Sequence, residues 1–169
     1  MAEEKAIHLV YHGAGLSGKT TNATYILDKH GVKWSFRNVI DDLTSGWGEI
    51  KFDGLKVRFY STTGALAYDP SRFELVKKAD GIVFVVDSQE ERIDANYEKI
   101  VEMRRWLSEI GKNTPYIIQY NKRDLPNILP IEELEKEINI DKAPYFEAIA
   151  VNGIGVFETF EEILNKITN

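Results

Sequence analysis

Short apolar runs alternate along the chain with longer stretches in which apolar residues recur at a helical period. The apolar runs predict buried strands, because strands covered on both faces are almost continuously hydrophobic. These runs are residues 6–11, 81–86, 116–120 and 145–151. Two further runs, 49–52 and 55–60, flank Asp53-Gly54, a pair that favours a tight hairpin. The helical period predicts helices at residues 19–29, 93–107, 131–137 and 156–167, and Gly111 is a plausible stop for the second of them.

Strands separated by helices indicate a mostly parallel sheet with helices on both faces, and the hairpin adds an antiparallel strand at one edge. We therefore predict an α/β fold in three layers. It has a six-stranded, mostly parallel sheet with one antiparallel edge strand, and about five helices. Because no internal repeat, low-complexity segment or linker interrupts the pattern, residues 1–169 are expected to form a single domain.

Charge and composition exclude several classes of function. Asp and Glu outnumber Lys and Arg by 27 to 21, which argues against a general nucleic-acid binder. Cysteine is absent, which excludes disulfides and thiolate metal sites and favours a reducing compartment. The first residues lack the pattern of a signal peptide, and every apolar run is too short to cross a bilayer. We expect a soluble cytoplasmic protein without an integral membrane segment.

The segment between the first predicted strand and the first predicted helix matches the phosphate-loop pattern G-x-x-x-x-G-K-[ST]. Its glycines allow a tight turn that points backbone N–H groups at phosphates, and the helix start presents its positive end to the same anion. Lys19 is expected to reach the β- and γ-phosphates, and the Thr20 hydroxyl to ligate Mg²⁺. The predicted nucleotide-binding residues of this segment are Gly13, Gly15, Leu16, Ser17, Gly18, Lys19, Thr20 and Thr21.

After the fifth predicted strand, residues 121–124 read N-K-R-D, which resembles the N-K-x-D motif of the GTPase superfamily. The resemblance implies that Asp124 accepts hydrogen bonds from guanine N1 and N2. Adenine lacks that pair of donors and would leave the carboxylate unpaired, so the motif selects the base. In the family, Asn121 ties this loop to the phosphate loop, and the stem of Lys122 packs on the base. Ala150 and Val151 align with the third base-contacting loop, where Ala150 is expected to donate through its backbone N–H.

The whole chain most resembles the MglA-type bacterial polarity GTPases, relatives of the Ras and Arf groups. The shared segments are residues 15–22, 80–89, 121–127 and 155–159, and residues 85–88 also resemble the Arf group. The resemblance implies a P-loop NTPase G domain that holds GTP or GDP with Mg²⁺ and acts in cell polarity or surface motility. The partners that it implies are a Roadblock/LC7 (MglB-type) GTPase-activating homodimer and effectors that read switch I and switch II. Related proteins also pair, so self-association is a further possibility.

The segment that aligns with the family's D-x-x-G-Q reads S-T-T-G-A, at residues 61–65. Ser61 replaces an Asp that holds Mg²⁺ through water, and MglA-type proteins have Thr there. The missing carboxylate is either supplied by Asp41 or Asp42, or not replaced. The backbone N–H of Gly64 is expected to sense the γ-phosphate. Ala65 stands where the family carries the Gln that orients the attacking water, so unaided hydrolysis should be very slow.

Switch I allows two alignments. In one, Arg37 and Asn38 match an Arg-Thr pair of the MglA group, so Asn38 ligates Mg²⁺ through its amide oxygen and Arg37 is an internal arginine finger. In the other, Thr44 or Ser45 is the ligand. With the first alignment, the predicted catalytic residues are Lys19, Arg37 and Gly64, and the predicted metal ligands are Thr20 and Asn38.

Three functions compete for this sequence. The first is a switch that cycles between GTP and GDP, with slow intrinsic hydrolysis. The second is a binding module or scaffold that is constitutively loaded with GTP; Ala65 and Ser61 favour it, whether Ala65 is natural or engineered. The third is a P-loop kinase that uses ATP, which would need an arginine-rich lid that the sequence lacks, and Asp124 argues against it.

Overall fold

The computed structural model describes residues 5–40, 43–63 and 70–169. Its strands are β1 (Ile7–His12), β2 (Ser35–Ile40), β3 (Leu43–Phe52), β4 (Leu55–Ser61), β5 (Gly81–Asp87), β6 (Tyr116–Asn121) and β7 (Tyr145–Glu147). Its helices are α1 (Lys19–Lys29), α2 (Pro70–Lys78), α3 (Ile93–Ile110), α4 (Ile131–Ile138) and α5 (Val156–Thr168). Strands alternate with helices after β4, which confirms the predicted α/β fold.

Within the described chain the strands form one sheet in the order β2-β3-β4-β1-β5-β6-β7. Among these described strands only β3 runs against the others, since it pairs antiparallel with both β2 and β4 while the remaining neighbours are parallel. The described residues thus form seven strands where the sequence predicted six, and the added strand β2 pairs with β3 and forms the edge. The sequence segment 35–40 has no apolar run that would predict a strand, and its backbone pairs with β3.

Each face of the sheet packs against its own helices, which gives the predicted three layers. One face buries its side chains against α1 and α5, as the contacts of Leu9, Phe59 and Phe160 illustrate. The other buries them against α2, α3 and α4, around Val10, Phe84 and further apolar residues. Because residues 9 and 10 lie on opposite faces, the apolar run of β1 serves both layers, as expected for a covered parallel strand.

A buried polar network joins two helices to strand β6. The Gln119 side chain, on β6, donates to Asn22 Oδ1 at 2.9 Å and accepts from Asn22 Nδ2 at 2.8 Å. It also donates to Thr159 Oγ1 at 3.0 Å. All three residues are fully buried, so these bonds satisfy polar groups that would otherwise be costly to bury. The network links α1, which follows the glycine-rich loop, to β6 and α5.

The parallel strands place their carboxyl ends along one edge of the sheet, where ligand sites of open α/β sheets form. The glycine-rich loop follows β1, Ser61 ends β4, Asp87 ends β5, and the N-K-x-D segment begins at the end of β6. Beyond β7, the chain turns at once into a short 3-10 helix, Ala150–Asn152, so the last strand ends earlier than the predicted residue 151. None of the described helices combines the length and the apolar character that a bilayer-spanning segment requires.

Candidate functional site

Two glycines of the phosphate loop occupy positions that no other residue can take without displacement of the backbone or of Asn121. Gly13 has φ 146° and Gly18 has φ 105°, in the region that favours glycine. A Cβ atom on Gly13 would lie 2.3 Å from the carbonyl oxygen of Val85, and one on Gly18 would lie 2.2 Å from Asn121 Nδ2. The loop is therefore held tightly against β5 and the N-K-x-D segment.

Lys19, the first residue of α1, is 6% exposed, and its ammonium donates to the carbonyl oxygen of Ala14 at 2.6 Å. Burial lowers the pKa of Lys19 to about 8, and the nearby cations Lys99, Arg72 and Arg92 lower it further in the same direction. Positive charge thus concentrates beneath the loop and at the start of α1. This arrangement suits a polyanion, which would offset the repulsion among the cations and lie against the positive end of the helix.

A cavity of about 400 Å³ lies over this loop. It is lined by Gly15, Leu16, Gly18, Lys19, Thr20, Thr21, Ser61, Thr62 and Thr63. The structure therefore brings most of the predicted phosphate residues to one cavity. Leu16 is 87% exposed at its rim, whereas Ser17 is fully buried below the loop and its hydroxyl has no hydrogen-bond partner among the described residues.

The hydroxyls of Thr20 and Ser61 meet at the mouth of this cavity, with 3.2 Å between the two Oγ atoms. Mg²⁺ prefers oxygen ligands and usually takes only one or two from the protein, the rest being waters and phosphates. The pair fits that pattern, and the described residues contain no cluster of His, Cys, Asp or Glu that would hold a metal by itself. The structure therefore brings Thr20, a predicted ligand, next to Ser61, and its role as a ligand stays a prediction.

The predicted switch I and switch II residues lie mostly outside the residues that the structure describes. Gly64 and Ala65 fall in the undescribed segment 64–69, and Asp41 and Asp42 fall in the other internal one. The backbones of residues 37 and 38 lie in β2, opposite residues 45 and 44 of β3. The predicted roles of Arg37 and Asn38 and the alternatives Thr44 and Ser45 concern side chains that are likewise outside the described part, so these stay predictions.

Asn121 joins three loops at the edge of the sheet. Its Nδ2 donates to the carbonyl oxygen of Ser17 at 2.9 Å, as predicted from the family, and its Oδ1 accepts from the backbone N–H of Ala150 at 2.9 Å. The N–H of Ala150, which the sequence assigned to the base, donates to Asn121 in this structure, and its contact with the base stays a prediction. Val151, the other residue predicted in this loop, is 71% exposed.

Lys122 and Asp124 differ in their surroundings. The ammonium of Lys122 donates to Asp87 Oδ2 at 2.8 Å, so its stem is held along the edge of the sheet rather than free. Asp124 is exposed, which leaves its carboxylate accessible to a base. Between them, Arg123 donates to the Leu129 carbonyl oxygen at 2.8 Å and fixes the loop from behind.

Arg92 is a site residue that the sequence analysis missed. Residues 90–92 look like the solvated start of a helix, and Glu90 and Glu91 are indeed exposed. Arg92 instead points back to the phosphate loop, where its Nη2 donates to the carbonyl oxygen of Gly15 at 2.7 Å. The two residues are 77 positions apart, and a local pattern carries no signal for such a contact.

His12, immediately before the phosphate loop, is fully buried with Nδ1 2.8 Å from Thr62 Oγ1. Its Nε2 has no hydrogen-bond partner within the described ranges. Burial lowers the pKa of His12 to about 3, and the positive charges of Lys19, Arg72 and Lys99 add to this effect. The imidazole is therefore neutral in the folded protein at neutral pH.

This neutral histidine predicts a loss of stability in acid. Below its ordinary pKa of 6.5 the unfolded chain takes up a proton that the folded chain refuses until about pH 3, so stability falls as pH falls through this window. We expect His12 to account for about 2 kcal/mol of the loss between pH 7 and pH 5 in urea unfolding. His12→Asn should flatten this dependence, and the matched control His30→Asn should retain it. An unchanged slope in His12→Asn would contradict the assignment.

The geometry thus unites a phosphate loop, a pair of hydroxyls and an N-K-x-D segment at one edge of the sheet. The sequence model of the ADP-ribosylation factor family matches residues 1–167. The chain belongs to this family. Within it, the chain is a small Ras-like GTPase of the MglA type.

Individual relatives agree with this assignment. The chain is 41% identical to the mutual gliding-motility protein MglA of Myxococcus xanthus, over 94% of this chain and 89% of that protein. It is 26% identical to the human ADP-ribosylation factor-like protein 4C, over 96% of this chain and 88% of that protein. It is 24% identical to the Ras-related protein Rab-5B of Plasmodium falciparum, over 98% and 80%. The similarity to the family therefore extends over nearly the whole chain.

Proposed function

We propose that this protein is a GTP-binding switch that holds GTP or GDP with Mg²⁺ and hydrolyses GTP slowly without a partner. The observation that carries the proposal is the position of Asn121, whose side chain bonds both the phosphate loop and Ala150. A phosphate-binding loop and a guanine-selective loop are thereby parts of one rigid site. A protein that bound only phosphate would have no need for that connection.

Different residues bind the phosphates, the metal ion and the base of the nucleotide. The backbone N–H groups of residues 15–20 and the ammonium of Lys19 bind the phosphates, and Thr20, with Ser61 beside it, holds the metal ion. Asp124 accepts the two donors of guanine, and Lys122, whose ammonium is held by Asp87, presents its stem to the base. Mg²⁺, when bound, neutralises charge that develops on the phosphates.

Slow hydrolysis follows from the residues of switch II. Ala65 offers only a methyl group where relatives carry a Gln, and a methyl group neither orients nor polarises water. Ser61 has a hydroxyl in place of a carboxylate, which weakens the hold on the metal ion. Under this proposal Gly64 senses the γ-phosphate through its backbone N–H, Asn38 completes the metal site, and Arg37 is the remaining candidate for an internal arginine finger.

The biological role that we propose rests on relatives. The similarity to a protein named for mutual gliding motility supports a role in bacterial surface motility or cell polarity. The corresponding partners are a Roadblock/LC7 homodimer of the MglB type, as activator, and effectors that read switch I and switch II in the GTP state. The second candidate function is a module that stays loaded with GTP, which the Ala65 position favours.

Two measurements test these proposals together. Nucleotide released from the purified protein is identified by chromatography, and single-turnover hydrolysis is then followed with added GTP and Mg²⁺. Bound guanine nucleotide and slow turnover that a Roadblock-type homodimer accelerates support the switch. Retained GTP with negligible turnover even in its presence supports the loaded module. Tighter binding of ATP than of GTP in a competition titration would overturn the guanine assignment.

Restoring the family's glutamine is expected to raise hydrolysis. In Ala65→Gln, the new amide can orient the attacking water, so the single-turnover rate should rise by about tenfold or more. The affinity for GDP should stay within about twofold, because the glutamine acts on the attacking water rather than on the bound phosphates. Ala67→Gln, the same change made two residues further on, is the matched control and should leave the rate unchanged. No gain in Ala65→Gln would mean that another residue positions the water.

A further inference from the structure

Arg92 connects the phosphate loop to the far side of the base site through a single buried carboxylate. Its Nη2 donates to the Gly15 carbonyl oxygen at 2.7 Å, and its Nε lies 3.9 Å from Asp87 Oδ2. The same Oδ2 atom accepts from the ammonium of Lys122 at 2.8 Å. Asp87 Oδ2 thus lies near two cations: Arg92, which contacts the phosphate loop, and Lys122 of the N-K-x-D segment.

Asp87 is fixed at the end of β5 by bonds that leave its carboxylate little freedom. Its backbone N–H donates to Asn96 Oδ1 at 3.1 Å, and its carbonyl oxygen accepts from Asn96 Nδ2 at 2.8 Å. Its Oδ1 accepts from the backbone N–H of Gln89 at 3.1 Å. Because the side chain is only 2% exposed, its charge is poorly screened and acts strongly on the two cations.

The short turn that carries Arg92 is held by the loop after the N-K-x-D segment. The backbone N–H of Glu90 donates to the carbonyl oxygen of Asn127 at 2.9 Å, and that of Leu129 donates to the carbonyl oxygen of Ser88 at 2.9 Å. The guanidinium is therefore presented to the phosphate loop from a fixed support. The side chain is 32% exposed, which places it at the surface edge of the site and not in the core.

The bond to Gly15 determines where the next N–H group points. A trans peptide holds its carbonyl oxygen and its N–H on opposite sides, so an oxygen turned towards Arg92 turns the N–H of Leu16 the other way. Leu16 has φ 63°, a left-handed conformation that a leucine rarely adopts, and its side chain is 87% exposed. Burial of that side chain therefore does not stabilise the strained conformation, whereas the hydrogen bond from Arg92 fixes the peptide that precedes Leu16.

We infer that Arg92 is a positioning residue that holds the Gly15–Leu16 peptide in its anion-binding orientation, and that Asp87 makes this orientation depend on the loop that binds the base. The inference rests on the proposed function and adds to it a residue outside the phosphate-loop and N-K-x-D motifs. The ligand that it concerns is the diphosphate part of a guanine nucleotide. The base, the ribose and the α-phosphate alone should be much less sensitive to Arg92.

The test compares GDP with GMP, which lacks the β-phosphate. In Arg92→Gln, the affinity for GDP is expected to fall about tenfold, the usual effect of losing one charge-assisted hydrogen bond, whereas the affinity for GMP stays within about twofold. Arg92→Lys keeps the charge but not the forked guanidinium that reaches both Gly15 and Asp87. Its affinity for GDP should therefore lie between those of the parent chain and Arg92→Gln. Release of a fluorescent GDP analogue in a stopped-flow instrument and competition titrations give both affinities.

Arg105→Gln is the matched control, because Arg105 lies on α3 with an exposed side chain and a surface ion pair to Glu109. It should bind both nucleotides as the parent chain does. If the parent chain binds GDP, the inference is overturned when Arg92→Gln loses affinity for GDP and GMP equally, or loses no affinity for either. If the parent chain binds no guanine nucleotide, the proposed function fails, and the inference fails with it. Circular dichroism checks folding. If Arg92→Gln is unfolded, the inference is tested by whether Arg92→Lys loses affinity for GDP but not for GMP.

Discussion

Lys19→Ala is expected to lower the affinity for GDP and GTP by roughly a thousandfold, which corresponds to about 4 kcal/mol. The ammonium lies beneath the phosphate loop at 6% exposure, where water screens it poorly. Removing it deletes the lysine cation of the loop and leaves the phosphates to the backbone N–H groups of that loop. Isothermal titration with GDP and Mg²⁺ measures the effect, and Lys29→Ala, on the same helix but exposed, is the control.

The same substitution should not weaken the ligand-free fold. Burial and the cations Lys99, Arg72 and Arg92 all lower the pKa of Lys19, to about 8, so its charged form is disfavoured in the folded protein. The unfolded chain keeps that proton up to about pH 10.5, so this cost is present below pH 8 and diminishes as pH rises between the two values. Lys19→Ala should therefore melt at the same temperature or higher without nucleotide. Nanomolar GDP affinity in Lys19→Ala would contradict the role of Lys19 in binding the phosphates.

Asp124→Asn is expected to shift base preference from guanine to xanthine. Under the proposed function the parent carboxylate accepts from N1 and N2 of guanine, whereas the amide of the variant presents a donor that matches the extra carbonyl of xanthine. A site built for a hydrogen-bonded pair rejects a mismatched partner by about 10⁴-fold in favourable cases, because its polar groups are left unpaired. We expect GTP affinity to fall by at least about a hundredfold and XTP affinity to rise.

Competition titrations against a fluorescent GDP analogue measure both affinities. Asp28→Asn is a suitable control, because Asp28 has a 58% exposed side chain and lies in a surface ion pair with Lys33. It should leave both affinities unchanged. Unchanged GTP affinity in Asp124→Asn would mean that the base binds elsewhere. The hydrogen bonds of Asn121 to the phosphate loop and to Ala150 would then not support a guanine site.

Local patterns predicted the parts of the fold that depend on burial. The run at 81–86 became β5 within one residue, because a strand covered on both faces must be apolar along its length. The edge strand β2 escaped prediction because its segment mixes polar and apolar residues and depends on backbone pairing with β3. The helix α2 was not delimited either, because no motif marks its start, whereas the phosphate loop marks the start of α1, which has an equally weak apolar period.

The candidate site divides in the same way. The phosphate loop and the N-K-x-D segment are contiguous motifs, and their spacing reveals them without a structure. The contact of Arg92 with Gly15 joins residues 77 apart, and that of Ala150 with Asn121 joins residues 29 apart. Such bonds depend on how the loops converge at the sheet edge. A pattern read along the chain shows neither which carbonyl oxygen faces Arg92 nor which N–H group is already engaged.

The buried network of Asn22, Gln119 and Thr159 constrains how this chain can vary through evolution. Replacing Asn22 or Gln119 alone by an apolar residue leaves the amide oxygen of the other buried without its hydrogen bond, at a cost of about 1–3 kcal/mol. Thr159 also donates to the Gly155 carbonyl oxygen and keeps that bond in each case. Replacing both amides by apolar residues of matching volume removes the two polar groups together and avoids that cost. A lineage that passes through single substitutions must therefore cross a less stable intermediate. Asn22 and Gln119 should change jointly or not at all, which ties the helix after the phosphate loop to β6.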